Sequence, residues 1–182
     1  MFKKTDFFDD DKKLTKNDVS EISEWIKEND VNKTLFSDNH TLLWHAVRDS
    51  ALEVVDFLVK HGADISLCGE YKTLIEVASI YGNLNVIKYF LDNGFDRETF
   101  FKDDSLIYAA EGNFVGIIKY LVEQGKDIEK RLYDYSDGCT ALRMASQVNS
   151  IESVELLCKL GANVNADSIY GTPIYIAALE GN

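Results

Sequence analysis

A start-plus-five alanine recurs along this chain every 32 to 35 residues, and that period limits what the chain can fold into. Taking Thr41, Thr73, Ser105, Thr140 and Thr172 as equivalent starts gives separations of 32, 32, 35 and 32 residues. Five residues after the starts lie Ala46, Ala78, Ala110, Ala145 and Ala177; two residues after them lie Leu43, Ile75, Ile107, Leu142 and Ile174. A unit this short cannot bury its own apolar face, so each must lean on its neighbours in a row.

A second apolar pattern follows within each unit: Val54, Val55, Leu58, Val59; then Val86, Ile87, Phe90, Leu91; then Ile117, Ile118, Leu121, Val122; then Val154, Leu157, Cys158. Spacings of i, i+1, i+4, i+5 put these side chains on one helical face. Gly62, Gly94, Gly125 and Gly161 follow, where a helix commonly ends in a left-handed residue. Each unit therefore reads as short helix, turn, longer helix, glycine stop and extended loop.

In this arrangement the sequence resembles the ankyrin repeat family. The fullest matches are GTPIYIAALEGN (171–182) and LEVVDFLVKHGADI (52–65), with LLCKLGANVNADSIYGTP (156–173) joining two units. The resemblance implies an all-α fold, an ankyrin repeat solenoid of stacked helix-turn-helix units with β-hairpin-like finger loops. It divides the chain into an N-terminal segment, 1–37, with a capping helix at about 17–28, and repeats at 38–69, 70–101, 102–136, 137–168 and an incomplete 169–182. The sequence departs from the family in ways that predict lower stability. Only Pro173 keeps the proline after the threonine, and the family histidine three residues on is Trp44, Glu76, Tyr108, Arg143 and Tyr175.

The third unit is irregular. Ala110 to Gly125 spans 15 residues against 16 for Ala78 to Gly94, which predicts a remodelled turn at Glu111, Gly112 and Asn113. Gly125 to Thr140 spans 15 against 11 for Gly62 to Thr73, an insertion of 4 that carries Arg131, Leu132, Tyr133, Asp134 and Tyr135. This is either a long finger over the groove or a loop folded back on its own array.

At the N-terminus, Val19, Ile22, Trp25 and Ile26 recur at helical spacing, with Asn17 or Asp18 as N-cap and Glu21 completing a capping pair. Asp9, Asp10 and Asp11 read as a solvated charge run. The chain stops at Asn182 where an inter-helix turn is expected, which reads as a fragment or truncated product; as a complete chain it would offer a self-associating edge, and otherwise a monomer is expected.

The search for chemistry yields little. His40, His45 and His61 form no catalytic spacing, and neither HExxH nor paired CxxC is present. Cys68, Cys139 and Cys158 suggest a reducing compartment; Cys158 is expected to be buried and Cys139 exposed on a finger. No enzyme activity, cofactor or metal is expected. The 31 acidic against 19 basic side chains leave a net charge of −12, of which −10 falls after residue 37. That balance argues against nucleic acid, which needs a surplus of Lys and Arg. No segment has the length to cross a bilayer as a helix, so a soluble, cytoplasmic protein is expected, with delivery into a host cell as an effector the alternative.

The resemblance implies a non-catalytic module that binds another protein through its concave groove; the acidic balance either serves solubility or steers the chain toward a partner with a basic surface. The family's contact positions fall here on Asp38, His40, Arg48 and Asp49; on Glu70, Lys72, Ile80 and Tyr81; on Lys102, Asp104 and Glu111; on Asp137, Cys139, Gln147 and Val148; and on Ile169, Leu179 and Glu180. The long finger adds Tyr133 and Tyr135. Two other classes stay open: an immunity or antitoxin-type protein masking a basic toxin, and the targeting module of a longer enzyme or effector.

Overall fold

The computed structural model describes residues 13–34, 40–66, 73–132 and 138–182. These form an all-helical chain in two compact units, Met1–Phe95 and Asp96–Asn182.

The first unit opens with a 3-10 turn, Lys16–Asp18, leading into α1, Val19–Trp25. The cap lies earlier than the sequence suggested. The Thr15 hydroxyl accepts from the Asn17 amide, and the Asp18 carboxylate accepts from the Thr15 amide at 2.7 Å, while Asp18 makes no cap bond for α1 itself. Then come α2, Leu42–Arg48, and α3, Leu52–Lys60, followed by α4, Leu74–Ile80, and α5, Leu84–Asp92. The first helices α2 and α4 pack together, and α3 lies between α1 and α5. Ile22, Leu43, Val54, Leu58, Ile75, Val86 and Ile87 are buried to 1% exposure or less. Each such side chain contributes about 1.5–3 kcal/mol on burial, so the interlocking face outweighs the short helices' poor intrinsic stability.

The second unit holds α6, Arg97–Lys102; α7, Ser105–Glu111; α8, Val115–Glu123; α9, Ala141–Gln147; α10, Ile151–Lys159; and α11, Pro173–Glu180. Here α7, α9 and α11 form the row of first helices, and α8 packs on α10.

Threonine starts four of the first helices for a local reason: its side-chain oxygen accepts an amide that the helix leaves orphaned. Thr41, Thr73, Thr140 and Thr172 accept from Trp44, Glu76, Arg143 and Tyr175 at 3.1–3.4 Å. Glu76, standing where the family has histidine, returns the favour by accepting from the Thr73 amide at 2.6 Å. The four glycines after the second helices are all left-handed, with φ between +89° and +93°.

The third repeat's register differs from the sequence reading by one residue. In every repeat the residue closing the inter-helix turn donates its amide back to the key alanine: Ala51 to Ala46, Asn83 to Ala78, Ser150 to Ala145 and Asn182 to Ala177. In the third it is Phe114 to Ala109. The repeat thus starts at Asp104, not Ser105, and Ala109, Leu106 and Ile107 take the slots given to Ala110, Ile107 and Tyr108. The turn is then of ordinary length rather than remodelled. Its left-handed residue is Asn113 (φ +58°), matching Ser50, Gly82, Asn149 and Gly181. Gly112 is needed for another reason: a Cβ there would sit 2.2 Å from the Phe114 ring.

Finger loops are also not uniform. Antiparallel bridges join Thr34 to Thr41 and Leu132 to Cys139, the stems of two fingers. Before the third repeat a helix, α6, stands in place of an extended finger, capped by Asp96, whose carboxylate accepts from the Thr99 amide at 2.7 Å. Phe100 is fully buried on α6, and the Lys126 ammonium lies 4.7 Å from its ring centroid. Lys126 also donates to the Asp103 carbonyl at 2.8 Å and pairs with its carboxylate, both side chains having no exposure. Lys126 follows Gly125 at the position held elsewhere by buried Ala63, Phe95 and Ala162.

Candidate partner-binding surface

In the first unit the ends of α2 and α4 carry an aromatic group. His40 stacks on Trp44 with ring centroids 3.9 Å apart and planes 3° apart. His45, buried, meets the Trp44 edge at 5.1 Å, and Tyr81 meets it edge-on at 6.4 Å and 83°. Helical spacing puts Trp44 and Arg48, four apart on α2, on one face, with the Arg48 guanidinium 5.9 Å from the Trp44 centroid, while His40 reaches the ring from the extended segment just before the Thr41 cap. Tyr81 keeps 47% of its surface exposed, while Ile80 beside it is half-buried rather than exposed. Trp44 was absent from the sequence-derived contact set; an aromatic four residues before Arg48 on the same helix was the signal for it.

Asp49, a sequence-derived contact, points elsewhere. Its side chain is 1% exposed, accepts from the Leu14 amide at 2.7 Å and pairs with Arg48 at 2.7 Å, so it fastens the N-terminal segment to the end of α2. Asp38, Glu70 and Lys72 lie outside the described residues.

In the second unit, Lys102 ends α6 and pairs with Glu98 at the surface, which raises its pKa. The Asp104 carboxylate pairs with Lys130 as its backbone caps α7, so this residue belongs to the repeat's frame rather than to a finger tip. Glu111, Val148, Ile169, Leu179 and Glu180 are exposed, and Gln147 is half-buried. Gln147 accepts from Arg143 at 3.3 Å, and the Arg143 guanidinium, 3% exposed as a residue, sits 5.7 Å from the Tyr170 ring centroid. An open cleft of about 470 Å³ runs between the 167–171 loop and the Tyr175 and Leu179 side of α11. Tyr133, Tyr135 and Asp137 lie outside the described residues, although their stem is described.

Both described cysteines reverse the expectation. Cys139 is fully buried, its thiol donating to the Thr140 carbonyl at 3.3 Å, because it is part of the finger stem rather than its tip. Cys158 is exposed, on a flank of α10 turned away from Ser153 and Leu157, which are the fully buried residues of that helix. Among the described residues no three His, Cys, Asp or Glu side chains converge as a metal site, and no helix is long and apolar enough to cross a membrane.

The family model for ankyrin repeats (3 copies) matches residues 14–100 and 74–168. The chain belongs to the ankyrin repeat family. Among similar ankyrin proteins, the putative ankyrin repeat protein FPV031 of fowlpox virus is 32% identical over 112 residues, 60% of this chain and 30% of that protein. A transient receptor potential cation channel subfamily A member 1 homolog of Caenorhabditis elegans is 28% identical over 177 residues, 94% of this chain and 14% of its own length. Alpha-latrocrustotoxin-Lt1a of Latrodectus tredecimguttatus is 33% identical over 119 residues, 63% of this chain and 8% of the toxin. The chain thus spans less than a third of each of these relatives. Ankyrin repeats generally mediate protein–protein interaction.

Proposed function

We propose that this ankyrin chain is a non-catalytic, cytoplasmic binding module that holds a partner protein against the turn-and-finger face of its first helices. The observation that carries the reading is Tyr81: half-exposed, yet braced edge-on by a Trp44 ring that is itself stacked on His40. A rigid aromatic presented in this way loses little entropy on contact, which is what an interface anchor requires. Val148, 43% exposed, occupies the position of Tyr81 in its own repeat, and the exposed Leu179 that of Ile80 in the last. Acidity is spread evenly, with a net −6 on each of the two units, and favours a partner with a basic surface.

The test is titration calorimetry of a partner recovered by crosslinking, against the chain and its Tyr81→Ala and Tyr133→Ala forms. The double variant is expected to bind at least about tenfold more weakly with unchanged helical circular dichroism. Unchanged affinity overturns this choice of surface. A basic partner also requires an association rate that falls steeply with salt.

A further inference from the structure

We infer that Arg131 is a positioning residue that locks the finger stem of the fourth repeat to the 167–171 loop of the fifth, so that stem and loop hold one fixed relation. The inference rests on the binding reading above for its purpose, but not for its geometry. Among the described residues the stem is one bridge, in which the Leu132 amide donates to the Cys139 carbonyl at 2.8 Å. Arg131 donates across that stem to the Gly138 carbonyl at 2.9 Å, and from the same Nη1 to the Asp167 carbonyl at 2.6 Å. One guanidinium nitrogen thus holds backbone from two successive loops. Its two hydrogens suit that task, and its charge strengthens both bonds.

The neighbouring residues divide the work. Glu129 accepts from the Asn163 amide at 2.7 Å and so holds the start of the fifth repeat's loop, leaving Arg131 to hold its far part. Lys130 is turned the other way, toward Asp104. The counterpart of Arg131 before the first finger's bridge is Lys33, which is exposed. The far part of the loop displays Ile169 and Tyr170, at 68% and 56% exposure, so fixing Asp167 fixes an apolar and aromatic pair relative to the Leu132–Cys139 stem. A surface ordered before it binds avoids the entropy of ordering during binding.

Residue-resolved hydrogen exchange on the free 182-residue chain tests this. Arg131→Met is expected to speed exchange roughly tenfold or more at the Leu132 amide and also at the Gly171 amide, which donates to Ser168 at 3.0 Å. The Ala166 amide, bonded to Asn163 within the part that Glu129 holds, and the amides of α9 and α10 should be unmoved. Lys130→Met should leave the Leu132 and Gly171 amides as they were. Acceleration at Leu132 without Gly171 overturns the coupling, as does acceleration spread through α9 and α10, which would make Arg131 a support of the helices. Exchange in the free chain reads the coupling alone, and partner titration of the Tyr81 variant reads the binding face, so either can fail without the other.

Discussion

Asn83 reaches back one repeat to donate its side-chain amide to the carbonyls of Val47 and Arg48, at 2.7 and 3.0 Å. These carbonyls belong to the last turn of α2, beyond the helix's own ladder, and that of Val47 also accepts the Ser50 amide at 3.2 Å. Asn182 serves Ser146 and Gln147 of α9 in the same way, at 3.0 and 2.9 Å, and the Ser150 hydroxyl serves Glu111 of α7 at 3.0 Å. Asn83→Ala should therefore cost about 1–2 kcal/mol in urea unfolding, two net hydrogen bonds. Asn83→Ser, with a shorter donor, should retain part of it.

The Lys126–Asp103 pair makes a sharper case, because neither side chain touches water. Lys126→Met leaves a buried carboxylate without its cation and should cost about 3–5 kcal/mol in chemical denaturation. Adding Asp103→Asn removes the stranded charge while keeping an acceptor for the Ser105 amide, 3.0 Å away, so the double variant should regain most of the loss.

Gly112→Ala should destabilise by about 1–3 kcal/mol, although the backbone there is ordinary helix-end geometry. The cause is the Phe114 ring, which occupies the space a methyl group needs. Phe114→Leu should reduce the penalty, and a double-mutant cycle by thermal unfolding would read the coupling directly.

Alkaline titration isolates one contact between α3 and α5. Burial, and then the hydrogen bond at 3.2 Å to Asp56, push the Tyr89 hydroxyl up to about 12. The unfolded phenol loses its proton near 10, so the contribution is complete below that pH and is lost as pH rises toward 12. Tyr89→Phe should flatten stability over that window. At the acid end the sign reverses: Asp56 is lowered, first by its bond to Lys60, so its contribution fades as pH falls below the usual carboxylate range.

Much of this fold is legible in the sequence because its signals are local. A repeat-start threonine, an alanine five residues later and a glycine after the second helix each act within one turn of backbone; the structure shows the left-handed glycines where they were expected, and four of the start threonines prove to be helix caps. The third repeat misled because Asp104 and Ser105 can both begin a helix, and Ala109 and Ala110 are both small. The Phe114 to Ala109 bond and the left-handed Asn113 separate the two registers. The α6 helix escaped because the family pattern calls for a finger there, yet Asp96 with Thr99 is a cap written in the sequence. The contact surface was less legible. Whether Asp49 faces a partner or binds Leu14 depends on a residue 35 positions away, and spacing within one repeat carries no such information.

The one-residue shift also bears on how such a chain can be rearranged. Repeat proteins invite cutting and splicing at multiples of their period, as though every block were interchangeable. True starts at 41, 73, 104, 140 and 172 show that one block is not. A cassette excised at Ser105 would leave behind Asp103 and Asp104 while carrying away Lys126 and Lys130, breaking both ion pairs at once. The third block is transferable only with the helix that precedes it, so its usable boundary lies near Asp96.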